Sequence, residues 1–506
     1  MPKEEAPPAR GVEGDEMDQK NPADMTPDFT GPELCRLEAH EIVALLKKGE
    51  VSPQDLLDAA FARIAEVEPE VNAMPTLCEE RARAAAKEVA ANRGRNGSEP
   101  GWLGGLPIGI KDLMPVKGVR TTFGTIAYKD FIPAESDPLV EKLEARGGIV
   151  VGKTNTPEMG AGANTFNAVF GMTRNPWDTR KSAGGSSGGA AVALATGETW
   201  LSHGSDLGGS LRTPAAYCGI VGLRPTPGRA GGSNPTNAFS MESVQGPMAR
   251  TVMDTALFLD TMAGFDPRQV LSLEAPREPF QEAVRRATPK VRIAYAPDQG
   301  GLAPVENEIK EVMRTALAKA ERNGATVEEA CPDLSGLYET YVTLRAMVWG
   351  AGTGRSPEHV RKHFKRTLAE NIGFGEALTP SRIYDAQIHR SALYDRMRIF
   401  LDTYDVLACA VVGLEPTRIE QEYPAEVAGK PVADYIDWLR FSFLATTTAL
   451  PALSLPAGFT RSGMPVGIQL IGPPRGEAKL LAVAKAIEDA VGFRGRVPID
   501  PRPGGR

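Results

Sequence analysis

Three short segments carry side chains that could act together as a nucleophilic site. A single lysine, Lys111, stands among apolar residues, and Ser186 and Ser187 lie in a glycine-rich loop, Gly-Gly-Ser-Ser-Gly-Gly, at 184–189. A third segment places Ser210 directly after two glycines. A serine hydroxyl becomes a good nucleophile when a neighbouring group removes its proton, and a lysine can be that group when it is neutral. The chemistry that these residue types suggest is covalent catalysis by serine.

Two other motifs in the same region point to different chemistry. Residues 147–154, Gly-Gly-Ile-Val-Val-Gly-Lys-Thr, match the phosphate-loop pattern GxxxxGK[ST] letter by letter. A phosphate loop needs a strand before its first glycine, flexible residues between the glycines and a helix after the threonine. Here the intervening residues are β-branched and Asn155-Thr156-Pro157 follows, so the pattern indicates a strand at 148–151.

The loop 184–189 also contains GxSxG in two registers, which is typical of the nucleophile elbow of α/β-hydrolases. That elbow requires a hydrophobic strand immediately upstream, whereas a turn sequence, Arg-Asn-Pro-Trp-Asp, stands at 174–178. A hydrolase triad would also need a downstream histidine. The histidines available are His203, His359, His363 and His389. Each of them is more typical of a solvated or packed histidine than of a catalytic one.

Read in order along the chain, a larger set of blocks resembles the amidase signature family, including its bacterial amidases, aryl acylamidases and urethanase-like members. The blocks are LPIGIKDL at 106–113, GKTN at 152–155, the serine loops at 184–189 and 205–212, GIVGLRPT at 219–226, GPMAR at 246–250 and GMPVGIQ at 463–469. The resemblance runs from about residue 32 to residue 495.

The resemblance implies a catalytic trio, with Ser210 as the nucleophile, Ser186 as the bridging serine and Lys111 as the base. The Ser186 hydroxyl can relay a proton because it is donor and acceptor at once. Lys111 can accept that proton if burial lowers its pKa, which its apolar flanks favour. The neighbouring Asp112 would oppose this by favouring the cation, and the sequence leaves open which way Asp112 points.

The glycines of the second serine loop predict an oxyanion hole, because they let several backbone N–H groups approach one point. The predicted donors are the N–H groups of Leu207, Gly208, Gly209 and Ser210. The resemblance further implies a cis peptide bond between Gly185 and Ser186. The residues expected to support the loops by hydrogen bonding are Ser187, Asp206 and Arg212. Ser205 stands where threonine is frequent in the family.

Short apolar strands alternate with helices around these loops, which predicts a layered α/β fold. The resemblance implies one large, mixed and twisted β-sheet covered on both faces by α-helices. The predicted strands are 106–110, 148–151, 291–296, 452–456 and 466–472. The predicted helices are 138–146, 188–196, 250–264, 306–323 and 478–491.

The N-terminal part of the chain predicts a disordered leader over residues 1–31, which are rich in proline and charge and poor in apolar residues. Helical spacing begins at Leu34 and ends at Gly49, and a second helix begins with Ser52 as its cap. No Ser- or Gly-rich linker follows, so residues 32–506 are expected to form a single amidase domain. Within it, residues 340–400 are predicted to be a helical insert that shapes the pocket.

Composition narrows the range of partners. The 506 residues include 57 Lys and Arg against 64 Asp and Glu, a net charge of −7, so no overall basic field favours nucleic acid or anionic lipid. No apolar run is long enough to span a membrane. Five scattered cysteines without a CxxC pair fit a reducing compartment and no structural zinc. We expect a cytoplasmic monomer or homodimer with no cofactor, no metal, and neither nucleic acid nor membrane as a partner.

The resemblance to the amidase signature family implies an amidohydrolase that cleaves a carboxamide C–N bond through an acyl-enzyme on Ser210. Bulky side chains in the insert, together with Tyr338 just before it, favour a hydrophobic aryl or alkyl amide, with carbamates and esters as further substrates. The buried stripe of a helix would show the same pattern. These side chains are Tyr338, Tyr341, Leu344, Met347 and Trp349. The alternative is the glutamine-hydrolysing subunit of a tRNA-dependent amidotransferase, which shares the Ser-Ser-Lys core. That alternative would need polar groups for free glutamine and a surface for partner subunits.

Overall fold

The computed structural model describes residues 28–91, 99–232 and 237–504. The predicted leader therefore lies outside the described residues as far as residue 27. Near its end, Phe29 is buried, and its ring lies beneath the guanidinium groups of Arg36 and Arg63. The composition of the leader does not reveal this tertiary contact, and the boundary at residue 31 stays a prediction.

Helices flank the sheet along most of the described chain. They are α1 (Glu33–Arg36), α2 (Ala39–Lys48), α3 (Pro53–Val71), α4 (Glu79–Ala91), α5 (Pro138–Ala145), α6 (Gly188–Thr196), α7 (Arg212–Cys218), α8 (Val252–Met262), α9 (Phe280–Arg285), α10 (Asn307–Arg322), α11 (Leu337–Ala351), α12 (Glu358–Arg361), α13 (Arg366–Glu376), α14 (Pro380–Phe400), α15 (Tyr435–Trp438), α16 (Phe443–Thr447) and α17 (Glu477–Val491). No helix among the described residues has the length and apolar character needed to cross a membrane.

The strands form one large sheet and three small two-stranded sheets within the described residues. The strands of the large sheet are β1 (Thr76–Leu77), β2 (Pro107–Lys111), β3 (Ile149–Thr154), β8 (Leu201–Asp206), β9 (Val221–Arg224), β10 (Val244–Ala249), β11 (Arg292–Tyr295), β12 (Thr326–Glu329), β13 (Val406–Ala410), β16 (Ala452–Phe459) and β17 (Pro465–Ile471). The small sheets pair β4 (Phe166–Asn167) with β5 (Gly171–Met172), β6 (Arg174–Asn175) with β7 (Asp178–Ser182), and β14 (Glu426–Val427) with β15 (Lys430–Pro431).

The large sheet is mixed, with the strand order β1-β3-β2-β8-β10-β9-β16-β17-β13-β11-β12. Strands β3, β2 and β8 run parallel to one another, as do β13, β11 and β12, and antiparallel pairs join the two groups. Side chains of one strand alternate between the faces of a sheet. Along β13, Val406 and Ala408 enter one hydrophobic core, whereas Leu407 and Cys409 enter another. Both faces are thus covered, and the predicted α/β fold class is confirmed.

Most predicted elements are confirmed to within a few residues, and α6 has the predicted bounds. The first predicted helix is instead broken into α1 and α2 around Leu37 and Glu38. The reason is local: the carboxylate of Glu38 and that of Glu41 form a reciprocal capping box, which starts a new helix at Ala39. The cap of the next helix is confirmed, since Ser52 accepts a hydrogen bond from the N–H of Asp55.

The parallel strands β2 and β8 are neighbours in the sheet, so their carboxyl ends lie at the same edge. Lys111 is the last residue of β2, and Ser205 and Asp206 end β8. Helix α6 begins within the serine loop 184–189, at Gly188, and α7 begins two residues after Ser210. This arrangement brings segments that are up to a hundred residues apart to one edge of the sheet.

Candidate active site

Three serine hydroxyls surround the Lys111 amine at the carboxyl end of β2. Nζ of Lys111 lies 2.7 Å from Oγ of Ser186, 2.8 Å from Oγ of Ser187 and 3.1 Å from Oγ of Ser205. A neutral amine has two N–H donors and one lone pair. Among three hydroxyl partners, one can therefore donate its own proton into that lone pair. The Ser186 hydroxyl is the closest of the three.

The protonation of Lys111 is decided by its burial. The side chain is fully inaccessible to solvent, and this desolvation lowers the pKa of Lys111 to about 7, against the opposing influence of the Asp206 charge. An amine with such a pKa is neutral in a large part of the molecules near neutral pH. The electrostatic condition for a lysine base is therefore met in this site.

Asp112, whose direction the sequence leaves open, turns away from Lys111. Its Oδ1 lies 3.0 Å from Nζ of Lys153, and its Oδ2 accepts a hydrogen bond from the N–H of Thr122 at 3.1 Å. Lys153 is the lysine of the phosphate-loop pattern at 147–154, and it lies within strand β3, buried and paired. The pattern is therefore a strand whose lysine balances a buried carboxylate.

The loop that carries Ser210 is fixed from below by Asp206. Its carboxylate accepts hydrogen bonds from the backbone N–H of Gly209 at 3.0 Å and from that of Leu211 at 3.1 Å, and it pairs with the guanidinium of Arg212. Burial alone would raise the pKa of Asp206, but Arg212, together with Arg224, holds it well below its usual value. The supporting positions predicted for Asp206 and Arg212 are thus occupied by a buried ion pair.

One predicted oxyanion donor, the N–H of Gly209, already has a hydrogen-bond partner. The N–H of Gly209 already donates to Asp206, and Gly209 has φ +89°, a left-handed conformation that suits glycine. Its N–H therefore holds the loop in shape in this conformation. The remaining predicted donors are the N–H groups of Leu207, Gly208 and Ser210.

The outer side of this loop is covered by helix α11 and by the segment that follows α15. The carbonyl oxygen of Leu207 accepts a hydrogen bond from Oγ1 of Thr446 at 2.8 Å and a longer one from the Tyr341 hydroxyl at 3.5 Å. A Cβ atom on Gly208 would lie 2.8 Å from that hydroxyl and 3.3 Å from Nη1 of Arg345. Glycine at position 208 is therefore required by close packing.

The two serine loops meet directly. The N–H of Ser187 donates to the carbonyl oxygen of Ser210 at 3.2 Å, and the peptide bond between Gly185 and Ser186 is cis, as the resemblance implies. Ser186 and Ser210 are both buried. A third loop adjoins them, since a Cβ atom on Gly160 would lie 3.7 Å from Oγ of Ser186.

The other sequence-level candidates lie outside this group. His203 is buried in β8 with Nε2 at 2.9 Å from Oε1 of Gln245, and burial lowers its pKa to about 3, so that it is neutral. A possible metal-ligand group in the described residues consists of Glu38, His40 and Asp254. Its atoms already have protein partners, because Asp254 accepts from the N–H groups at the start of α2 and from His40.

Sequence reasoning missed several contacts of this site. Ser205 was noted for its family position, although its hydroxyl lies within reach of Lys111. Tyr341, Arg345 and Thr446 reach the Ser210 loop from more than a hundred residues away. A serine or threonine five residues before the nucleophile, at the end of a strand, is a local signal that could have indicated Ser205. No comparable local signal exists for the other three.

At the centre of the site, a buried lysine rather than a histidine lies among serine hydroxyls. A family model described as Amidase matches residues 55–481. The chain is 36% identical over 479 residues to a subunit of the glutamyl-tRNA(Gln) amidotransferase of Geobacillus stearothermophilus, covering 91% of this chain and 98% of that protein. It is 34% identical over 478 residues to an acylamidase of Rhodococcus erythropolis, covering 93% and 99%.

A solved structure with the same architecture is that of a bacterial aryl acylamidase of the amidase signature family, with a TM-score of 0.82 and 28% identity over 90% of this chain and 96% of that one. The chain belongs to the amidase family. It is accordingly a hydrolase that acts on amide C–N bonds.

Proposed function

We propose that Ser210 attacks the carbonyl carbon of a small amide and forms an acyl-enzyme. In this mechanism the Ser210 proton passes to Ser186, whose own proton passes to neutral Lys111. The short contact between Ser186 and Lys111, together with the depressed pKa of Lys111, supports this direction of transfer. No hydrogen bond joins the Ser186 and Ser210 side chains among the described residues. Catalytic hydrogen bonds of this kind often tighten only when substrate binds.

The negative charge that develops on the carbonyl oxygen would be stabilised by the N–H groups of Leu207, Gly208 and Ser210. Gly209 and Asp206 would hold these donors in place, and Arg212 would keep Asp206 ionised. Such preorganised donors act at no further cost in reorganisation when the charge appears. The amine leaves once it is protonated, and Lys111 would return its proton through Ser186. Water then hydrolyses the acyl-enzyme by the same route, which releases a carboxylic acid.

For the substrate, we propose a hydrophobic aryl or alkyl amide, with carbamates and esters as further possibilities. The packing beside the Ser210 loop supports this substrate class. There the rings of Tyr341 and Phe443 stack with their centroids 3.7 Å apart, and Leu439 lies against Gly208. The acylamidase named among the relatives is consistent with it. Tyr341 is an insert aromatic that reaches this loop, and both Tyr341 and Leu344 are buried. We also propose that the segment 340–400 shapes the pocket.

The contact of Ser186 with Lys111 carries the proposal, and labelling of the nucleophile tests it. A fluorophosphonate probe should form an adduct on Ser210, located by peptide mass spectrometry. Ser210→Ala should lose both labelling and amide hydrolysis, whereas Ser391→Ala, which changes an exposed serine of α14, should keep them. An adduct on Ser186 or Ser187 in the wild-type chain would overturn the assignment.

The second candidate is a glutamine-hydrolysing component of a tRNA-dependent amidotransferase, which the 36% identity to the Geobacillus protein favours. It predicts release of ammonia from free glutamine that increases when partner subunits are present. A screen with glutamine, anilides, primary amides, carbamates and esters separates the two candidates, since the first predicts that anilides are hydrolysed faster than glutamine by the isolated chain.

We propose that the chain is a cytoplasmic monomer or homodimer whose residues 32–506 form a single domain. The described cysteines are all unpaired, which fits a reducing compartment. Light scattering coupled to size-exclusion chromatography would determine the oligomeric state.

A further inference from the structure

Arg345 is a buried cation of helix α11 with one donor atom that has no partner among the described residues. Its side chain is 4% exposed, and its Nη2 donates to the Tyr435 hydroxyl at 2.8 Å. Nε is buried without a partner in the described part of the chain. Nη1 lies beside Gly208, where an added Cβ atom would be 3.3 Å away. A guanidinium carries five N–H donors and stays protonated at any working pH.

Aromatic rings, rather than a carboxylate, hold this cation. The centre of the guanidinium lies 5.5 Å from the ring centroid of Trp349 and 5.4 Å from that of Tyr435. Among the described residues, no carboxylate forms an ion pair with Arg345, and the neighbouring Lys365 is already paired with Glu422. Rings stabilise a cation without accepting its in-plane hydrogen bonds. An uncompensated buried charge is costly, so a partner of opposite charge would bind with little competition.

Helix α11 places this guanidinium between two loops that adjoin the catalytic serines. Tyr341, one turn before it, contacts Leu207 in the loop of Ser210. Trp349, one turn after it, packs with Ala161 in the loop whose Gly160 adjoins Ser186. These positions, spaced by four residues, share one face of the helix. A substrate that reaches Ser210 between the two loops therefore passes close to Arg345.

We propose that Arg345 binds a carboxylate on the substrate, so that the preferred substrates are amides bearing a carboxylate on an otherwise hydrophobic framework. This inference rests on the proposed function of Ser210 and refines its substrate class. The Arg345 guanidinium donates to the carboxylate while the scissile carbonyl lies at the Ser210 loop. Charge-assisted hydrogen bonds of this kind are the stronger ones in proteins.

Matched substrates test it. On the acyl side, glutaric acid monoanilide is compared with valeranilide, and on the amine side 4-acetamidobenzoate is compared with acetanilide. The wild-type chain should prefer the carboxylate member of at least one pair by about 10- to 100-fold in kcat/KM. Arg345→Met should abolish that preference by slowing the charged substrate alone, and Arg345→Lys should restore part of it. Arg366→Met, which removes an exposed cation of α13, should change kcat/KM for neither the charged nor the neutral substrate.

In the kinetic test, either of two results would overturn the proposal. One is equal kcat/KM for both members of both pairs in the wild-type chain, and the other is an equal loss of kcat/KM on both members in Arg345→Met. A binding measurement keeps it testable without turnover and without an Arg345 variant. Calorimetry on Ser210→Ala should give about 10- to 100-fold tighter binding of one charged anilide than of its neutral partner, and equal affinities would overturn it. Failure to hydrolyse any amide, with this binding preference intact, would instead contradict the proposed function.

Discussion

The carboxylate of Asp112 pairs with Lys153, with Oδ1 and Nζ 3.0 Å apart, although its neighbour along the chain is Lys111. Both Asp112 and Lys153 are buried. The charge of Asp112 is therefore balanced on the side away from the serines. The opposing charge that acts on Lys111 comes from Asp206 instead, and Arg212 and Arg224 balance that one. Because both carboxylates are paired with other cations, burial decides whether Lys111 is protonated.

We expect Asp112→Asn to reduce stability without moving the pH dependence of catalysis. Removing the carboxylate leaves the Lys153 ammonium buried and unpaired, which typically costs about 3–5 kcal/mol in the free energy of unfolding. Burial already lowers the pKa of Lys153, and the loss of the Asp112 charge lowers it further. Between this lowered pKa and the ordinary lysine pKa, the unfolded chain binds more protons than the folded one, so the stability deficit should shrink as pH rises through that range.

Urea unfolding at several pH values, with the pH profile of kcat/KM measured in parallel, checks this prediction. Asp130→Asn, at an exposed pair with Lys129, is the control and should cost less than about 1 kcal/mol. If the rising limb of the kcat/KM pH profile moves in Asp112→Asn, then Asp112 influences the pKa of Lys111.

The pH profile of the wild-type chain should report the base. If Lys111 must be neutral, kcat/KM rises with pH and levels off above a midpoint near the pKa of about 7 that burial gives Lys111. Lys111→Ala should remove this limb and lower the rate by about 10²–10⁴-fold, as expected for the loss of general-base catalysis. The exposed Lys129→Ala serves as the control. A limb that persists unchanged in Lys111→Ala would exclude Lys111 as the base.

Local patterns were sufficient for much of the fold. Helix α6 was predicted with its observed bounds because Gly197 ends it in the left-handed conformation and its small residues form one continuous buried run. The break between α1 and α2 was missed because Glu38 looks like one more helical residue until its capping contact with Glu41 is seen. The hairpin of β14 and β15 was missed because strands of two residues have no measurable periodicity.

Some features of the site could likewise be predicted from the sequence, and others could not. Lys111, Ser186 and Ser210 could be named because each stands in a distinctive short block. The direction of Asp112, the use of the Gly209 N–H and the approach of Arg345 could not, because each depends on contacts between segments far apart in the chain. Composition and spacing describe a chain locally. A contact across such distances is set by how the sheet and helices pack.

Gly208→Ala should damage the Ser210 loop while leaving the fold intact. The new Cβ would lie 2.8 Å from the Tyr341 hydroxyl, and Tyr341 cannot retreat easily because its ring stacks on Phe443. A displacement of about 1 Å in a catalytic group can cost about 10²-fold in rate, and we expect a loss of this size in kcat/KM.

A second substitution distinguishes loop displacement from a general fault. Tyr341→Phe removes the clashing hydroxyl, so the double variant should recover part of the lost activity. Gly373→Ala, at an open position of helix α13, should keep full activity and gain up to about 1 kcal/mol of stability. Equal kinetics for Gly208→Ala and the wild-type chain would show that the loop tolerates the methyl group.

Chelation should leave catalysis unchanged, since the proposed mechanism uses no metal ion. The group formed by Glu38, His40 and Asp254 is the relevant structural check, because its atoms are already engaged in hydrogen bonds that start α2. We expect full activity after EDTA treatment and in His40→Ala. Loss of activity on EDTA treatment that a divalent ion restores would refute this mechanism.

In the proposed mechanism Lys111 has two tasks, because it accepts a proton from Ser210 and later returns one to the leaving amine. Both transfers would pass through Ser186, whose Oγ lies 2.7 Å from the lysine Nζ. An alkoxide leaves an acyl centre readily without help, whereas an amine must be protonated as it departs. Lys111→Ala should therefore slow amide hydrolysis more than ester hydrolysis, by at least about tenfold within the 10²–10⁴-fold typical of acid–base catalysis.

A matched amide and ester with the same acyl group give the measurement, with burst kinetics used to verify that acylation limits both. The ratio of kcat/KM for the amide to kcat/KM for the ester should fall in Lys111→Ala and stay at the wild-type value in Lys129→Ala. Equal losses on the amide and the ester would leave Lys111 as a base for Ser210 and remove it as the acid for the leaving group. The leaving amine would then take its proton from another donor, such as water admitted to the cleft.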